Sequence, residues 1–316
     1  MIRAWTVLVV ALAVAAGSGQ TLAQQRQPAA DRSTATDVQV LPVQGNVYLL
    51  AGAGGNVTIQ AGKDGVLLVD TMSEALAPRI AAEARKLSQF PIRYIIDTSV
   101  DADHVGGNAA LGAMGATGAA QVTGGGATII ANEHVVNRMA PPVAPNETPA
   151  SIRGLPNDEY FTPTKDFYFN GEPVVIFHEP NAHTDGDSIV LFRRSDVISA
   201  GDIFTPDRYP VIDVGKGGSV KGYIAALNHL LHLTVPERLQ DGGTRVIPGH
   251  GRICNEGDVV EYRDMVTIVR DRIADMVKRG LTLEQVKAAR PTLDYDTRYG
   301  SGDRFVEAVY ASLKGR

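Results

Sequence analysis

The chain has 316 residues, enough for one large domain with short appendages, because single cores stop growing near roughly 250 to 300 residues. Its formal net charge of −5 is spread without a basic stripe or a run of like charge, which excludes a nucleic-acid surface and favours a small-molecule substrate, while no partner protein can be named from it. A lone cysteine, Cys254, excludes an intrachain disulfide and a thiolate-rich metal site.

At the start, Arg3 precedes an apolar run from Trp5 to about Ala16, followed by small residues and Thr21-Leu22-Ala23. Residues 1–23 therefore read as a signal peptide cut near Ala23, giving a periplasmic or secreted protein. The run is shorter than the roughly 20 residues of a spanning helix, so no stable membrane span is expected. Residues 24–37 are rich in Gln, Ala, Ser, Thr and Asp without a hydrophobic period and read as a flexible leader.

Folded structure is expected from Val38. Val47–Leu50, Asn56–Ala61 and Gly65–Val69 are short apolar or alternating runs between Gly-rich turns, the pattern of a β-meander. Leu76, Ile80, Ala84 and Leu87 then recur at helical spacing, and Pro91 closes that helix before a strand at Ile92–Ile96. Gly112 to Gly126 reads as a surface excursion, Thr128–Ala131 as a strand, Glu133–Met139 as a short helix, and Pro141 to Pro163 as a loop able to cover a site. Val174–Phe177, Ser188–Phe192, Asp196–Ala200 and Arg245–Ile247 read as strands, with a helix over Ser219–Leu233. Helices are expected over Glu256–Arg279, Thr282–Ala289 and Arg304–Leu313. The second half thus repeats the strand-rich then helical order of the first, which predicts an α/β, four-layer αββα sandwich over residues 38–255, with residues 256–316 as a C-terminal helical extension packed on it.

The polar residues that carry chemistry sit just after apolar strands. Asp97-Thr98-Ser99-Val100-Asp101-Ala102-Asp103-His104-Val105-Gly106-Gly107-Asn108 follows Ile92–Ile96 and leads into a helix, which Asn108 is placed to cap. In an extended loop, Ser99, Asp101 and Asp103 share one side while His104 points elsewhere, so one segment can address two adjacent positions. His183 in AHTDGDS, Asp202 in AGD and His250 in PGHG occupy equivalent places, with Gly or Pro making each turn. Aspartate and histidine are ligands that zinc, iron and manganese accept. His178, His229 and His232 read as structural, His134 and Arg208 as surface residues, and Asp185 and Asp187 as the groups that hold the turn after His183.

In this order, DxDH with GGN, then AHTDGDS, AGD and PGHG, the chain resembles the metallo-β-lactamase superfamily, whose first motif is normally HxHxDH. The resemblance runs from about Val38 to Arg252. It implies the metallo-β-lactamase fold and a second metal site of Asp103, His104 and His250, with Asp202 as bridging carboxylate, holding zinc. It also implies that Ser99, Asp101 and His183 form an altered first site, Ser99 and Asp101 standing where the family has histidines, and that Asp70 is the buried structural aspartate. Oxygen-rich ligation there favours manganese or iron over zinc, so that site is expected either empty or filled by one of the three. Three converging aspartates repel, and some cation is expected among them. The implied activity is hydrolysis of a small ester, thioester or lactam through metal-bound water, with Asp103 orienting the water or Asp101 acting as general base. Two other readings stand beside it: a non-catalytic relative that binds a ligand or partner in the same cleft, and a redox-active iron variant.

Overall fold

Seven strands form the first sheet in the order in which the chain makes them: β1 (Gln39–Gln44), β2 (Val47–Gly52), β3 (Gly55–Gly62), β4 (Gly65–Val69), β5 (Ile92–Ile96), β6 (Thr128–Asn132) and β7 (Asp158–Tyr160). The computed structural model describes residues 38–116, 125–140 and 154–315. The expected signal peptide (1–23), the expected leader (24–37), and most of the two expected loops (117–124 and 141–153) lie outside the described residues.

β1 to β4 pair antiparallel, as the meander reading expects. From β4 onward the sheet is parallel, because α1 (Ala77–Leu87) returns the chain to the same edge before β5. The second sheet has the order β12-β11-β10-β9-β8, made of β8 (Thr164–Phe169), β9 (Glu172–Glu179), β10 (Asp187–Phe192), β11 (Val197–Ser199) and β12 (Arg245–Ile247). Only β11 and β12 run parallel in it, joined through α5 (Val220–Leu233).

Alternation of side chains across each strand assigns the layers. In β4, Val66 and Leu68 pack with Ile80, Ala81 and Ala84 of α1, whereas Leu67 and Val69 face the other way. There they meet Val47, Leu49 and Ile96 of their own sheet and Val174, Ile176, Val190 and Phe192 of the second. On the far side of the second sheet, Ile189, Ile198 and Val246 pack against Tyr223, Leu227 and Leu230 of α5. Helix, sheet, sheet, helix is therefore the observed stacking, the αββα sandwich expected from the sequence. All described residues belong to one compact unit.

Between β6 and β7 lies α4 (Glu133–Met139), and four further helices complete the outer layer: α6 (Glu256–Lys278), α7 (Leu283–Ala288), α8 (Asp296–Tyr299) and α9 (Asp303–Lys314). Asn255 and Asp258 close a capping box that starts α6, and Thr282 with Gln285 does the same for α7. Val259, Tyr262, Val266 and Ile273 of α6, with Phe305 and Val309 of α9, join the apolar cluster that covers the second sheet. No helix among the described residues is long and apolar enough to cross a membrane.

Three local expectations are corrected. Two short helices, α2 (Ala102–Val105) and α3 (Asn108–Met114), replace the extended loop, so Gly112 lies inside a helix and not in a surface excursion. Gly107, not Asn108, stands at the N-cap of α3, and Asn108 turns inward instead: its amide donates to Asp97 Oδ2 at 2.8 Å and its Oδ1 accepts from Thr71 Oγ1 at 2.9 Å. β7 lies within the segment read as a loop, and β8 directly follows it. β8 is an edge strand of sequence TKDFYF with one largely exposed face, so it lacks the apolar run that marks a buried strand.

Candidate metal centre

All the candidate residues lie just beyond the ends of strands, some in loops and some in short helical turns. Asp101, Asp103 and His104 follow β5 of the first sheet, and Asp101 is the N-cap of α2. His183 lies between β9 and β10, Asp202 in a one-turn 3-10 helix after β11, and His250 just past β12. Both sheets therefore contribute, three residues each.

Two groups form. Donor atoms of Asp103, His104 and His250 lie within 4.8 Å of one another, as do those of Asp101, His183 and Asp202. Asp202 also reaches the first group, its Oδ1 standing 3.5 Å from His104 Nε2 and 3.6 Å from His250 Nε2. Asp103 Oδ2 is 3.0 Å from His250 Nε2, and Asp101 Oδ2 is 3.3 Å from His183 Nε2. The turn of α2 thus sends Asp101 and Asp103 to different groups, whereas an extended loop would have kept them on one side. Ser99 is buried, and its hydroxyl has no hydrogen-bond partner.

His104 is fixed from behind. Its Nδ1 lies 2.9 Å from Asp70 Oδ2, and Asp70 also accepts from Thr98 N at 2.8 Å and Thr98 Oγ1 at 2.7 Å. Asp70 follows β4 in the left-handed backbone region, φ 64°, which turns its carboxylate toward the segment after β5. His183 is backed similarly by Asp187: Oδ1 is 3.5 Å from His183 Nδ1, while the same carboxylate accepts from Thr184 N and Thr184 Oγ1, both at 2.7 Å. The PGHG loop is held by Asn56, whose amide donates to Pro248 O at 2.8 Å and Gly251 O at 3.0 Å. Gly249 allows that loop to reach Asp202, since a Cβ there would stand 2.3 Å from Asp202 Oδ1.

Charge is concentrated here. Burial opposes ionisation of His104, yet Asp70 and Asp202 on either side outweigh it and raise its pKa well above the ordinary histidine value. Burial alone would push Asp202 up, but His104, His183 and His250 hold its carboxyl far below the usual range. Asp103 is likewise lowered by His250 and His104 against the effect of burial, and His183 is raised by Asp187 and its neighbours, again against burial.

The donor set fits a divalent cation. His104 Nε2, His250 Nε2 and Asp202 Oδ1 are buried and attract one another as charges without making a well-formed hydrogen bond, a costly arrangement unless a common partner satisfies all three. Two imidazoles and two carboxylates in a half-buried pocket are what zinc accepts. In the other group Asp101 Oδ1 is already engaged, 2.6 Å from Lys216 Nζ.

Lys216 escaped the sequence reading, as did Asn56 and Thr98; a lysine between glycines in VGKGGS carries no sign of an inward side chain. Arg208, read as a surface residue, lies with Nη2 3.9 Å from Asp202 Oδ1. Asp185 pairs with Nη1 and Nη2 of Arg138, and its own carbonyl accepts from His178 Nε2 at 2.7 Å. His134 stacks on His178 with ring centroids 5.9 Å apart, and His229 pairs with Glu179, so neither joins the centre. Cys254 is also apart from it, its thiol buried and pushed up to about 12 by desolvation.

The family model of the metallo-beta-lactamase superfamily matches residues 41–250. Among solved structures, the chain is similar to the stereoselective inverting sec-alkylsulfatase of a Pseudomonas species, with 18% identity, TM-score 0.64, and coverage of 87% of this chain and 50% of that one. It is also similar to a metallo-beta-lactamase from Pontibacter korlensis, with 15% identity, TM-score 0.55, and coverage of 73% and 99% respectively. The chain spans about half the length of the alkylsulfatase, and at these identities the likeness is one of fold. No curated protein matches the chain.

Proposed function

The chain belongs to the metallo-β-lactamase superfamily, and from that membership we propose that it is an exported metal-dependent hydrolase of a small ester, thioester or lactam. The observation that carries this reading is the meeting of His104 Nε2, His250 Nε2 and Asp202 Oδ1, buried and without a well-formed hydrogen bond, with the Asp103 carboxylate 3.0 Å from His250 Nε2. Asp103, His104, Asp202 and His250 would hold the ion, zinc by preference. When bound, such an ion supplies a Lewis acid and lowers the pKa of water.

The protein's own groups have separable parts. Asp70 holds His104 in one orientation and one tautomer, leaving Nε2 to face the centre. Asp103 is the most exposed carboxylate of the set, with 39% of its side chain accessible, and is placed to accept a hydrogen bond from an attacking water. Asp101 is less suited to the general-base role, because Lys216 engages one of its oxygens and His183 faces the other. Arg208, at the rim beside Asp202, offers a fork of donors to an anionic group on the substrate.

The same Lys216–Asp101 pair, with Ser99, favours the alternative of a relative that binds without hydrolysing. One experiment separates the two. Purified chain is analysed for metal by mass spectrometry, then assayed with esters, thioesters, lactams and alkyl sulfates under zinc, manganese and iron. At least one ion per chain and hydrolysis abolished by a chelator are expected. An ion without turnover of any substrate would support the binding relative, and folded protein that takes up no ion would overturn the metallohydrolase reading.

A further inference from the structure

Lys216 is held as a placed residue is held, and not as a surface lysine. It ends a one-turn 3-10 helix, Val214–Lys216, whose N-cap Asp213 accepts from Lys216 N at 3.0 Å through Oδ1. Its carbonyl accepts from Asp185 N at 3.0 Å and from Arg138 Nη2 at 3.1 Å. Asp213 N in turn donates to His183 O at 2.9 Å, so the turn is bonded to the segment that presents His183. Gly218 completes the fit: a Cβ there would meet His183 O at 2.1 Å, so only glycine lets the strand of chain lie this close. The consequence is that Nζ stands 2.6 Å from Asp101 Oδ1 and 3.0 Å from Asp213 Oδ2.

The second group of donors, Asp101, His183 and Asp202, thus already contains a positive charge that the chain itself provides. An ion bound among them would have to take Asp101 from the ammonium and stand close to that ammonium, while Ser99 offers only a neutral hydroxyl in return. The three aspartates that would otherwise repel are balanced on two sides, at Asp101 by Lys216 and at Asp202 by the histidines around it.

We propose that Lys216 is a built-in cation that takes the place of a first metal ion, so that the chain binds a single divalent ion, at Asp103, His104, Asp202 and His250. This rests on the metal-dependent reading above and narrows it to a one-ion centre. Lys216 is then a positioning residue: it orders Asp101 and His183 as the wall of a centre that needs no second ion.

The test is a count of bound ions. Purified full chain is saturated with zinc, passed through a desalting column, and analysed by mass spectrometry beside Lys216→Met and Lys216→Arg. One ion is expected for the natural chain and for Lys216→Arg, and two for Lys216→Met, whose freed Asp101 can join His183 and Asp202. Two ions in the natural chain would overturn the inference while leaving the metal-dependent reading intact, and none would overturn both. A single ion in folded Lys216→Met would also overturn the inference, since the ammonium would not be what excludes the second. Should Lys216→Met fail to fold, the natural chain decides through electron paramagnetic resonance after saturation with Mn2+ and removal of all unbound ion on a desalting column: the signal of isolated bound ions is expected, and an exchange-coupled pair would refute the inference.

Discussion

His104 and Asp70 meet at 2.9 Å between Nδ1 and Oδ2, although 34 positions separate them in the chain, and through that contact the end of β4 orients a side chain of the β5 loop. Asp70→Asn would keep the shape while removing the charge and changing which partner donates. Affinity for zinc is expected to fall about 10- to 100-fold, the usual result of disturbing a carboxylate behind a ligating histidine. Competition against a chromogenic chelator measures it; unchanged affinity would mean that His104 is not a ligand.

Gly249→Ala tests the approach of two loops. With a Cβ only 2.3 Å from Asp202 Oδ1, the PGHG loop must move or Asp202 must turn away. A loss of about 1–3 kcal/mol of stability is expected from such overpacking, together with reduced metal content. Denaturant titration and metal analysis on one preparation read both, and full metal content would show that His250 and Asp202 need not approach so closely.

Asn56→Ala removes two hydrogen bonds to the carbonyls of Pro248 and Gly251. About 1–3 kcal/mol of destabilisation is expected, because at least one buried acceptor is left unpaired. Amide exchange should quicken around residues 248–252 in particular; uniform protection there would contradict the role assigned to Asn56.

The metal-free chain should respond to pH in a defined direction. His104 has a raised pKa in the fold, because the effect of its two carboxylates exceeds that of burial, so the stability it contributes is fully present below the unfolded value of about 6.5 and is lost as pH rises through the folded one. Asp202 has a lowered pKa, so its contribution is present above about 3.9 and is lost as pH falls through the folded value. An ion bound at His104 Nε2 would displace its proton, so apparent affinity for zinc is expected to weaken by about tenfold per pH unit below the folded value for each proton released. The denaturation midpoint of the chelated protein is expected to be higher at pH 6 than at pH 9, and the reverse order would contradict the assignment.

Export is tested separately. N-terminal sequencing of protein expressed with its full leader should begin at Gln24, and an intact Met1 in an extracytoplasmic fraction would refute cleavage after Ala23.

Much of the sandwich was legible because its layers force regular patterns. β4 is buried on both faces and so appears as an unbroken apolar run, and Leu76 at the N-cap, with Ile80 and Ala84, marks the inner face of α1. The strand ends that carry His183, Asp202 and His250 were legible for the same reason, each being a polar interruption after an apolar stretch. What local pattern cannot carry is the pairing of distant groups. Nothing near Lys216 announces Asp101, 115 residues earlier, and nothing near Asn56 announces the loop at Pro248. The α2 turn escaped because its four residues include Asp103 and His104, which were read for their chemistry and not for their backbone.

The centre draws one triplet of side chains, Asp101, Asp103 and His104, from the first sheet and another, His183, Asp202 and His250, from the second. It is a seam between the molecule's halves, and loosening either half removes donors from the other. An ion held there would couple its own binding to the docking of the two sheets: a metal-loaded chain should unfold in one sharper transition, and chelation should lower the cost of parting the halves before it unravels either one.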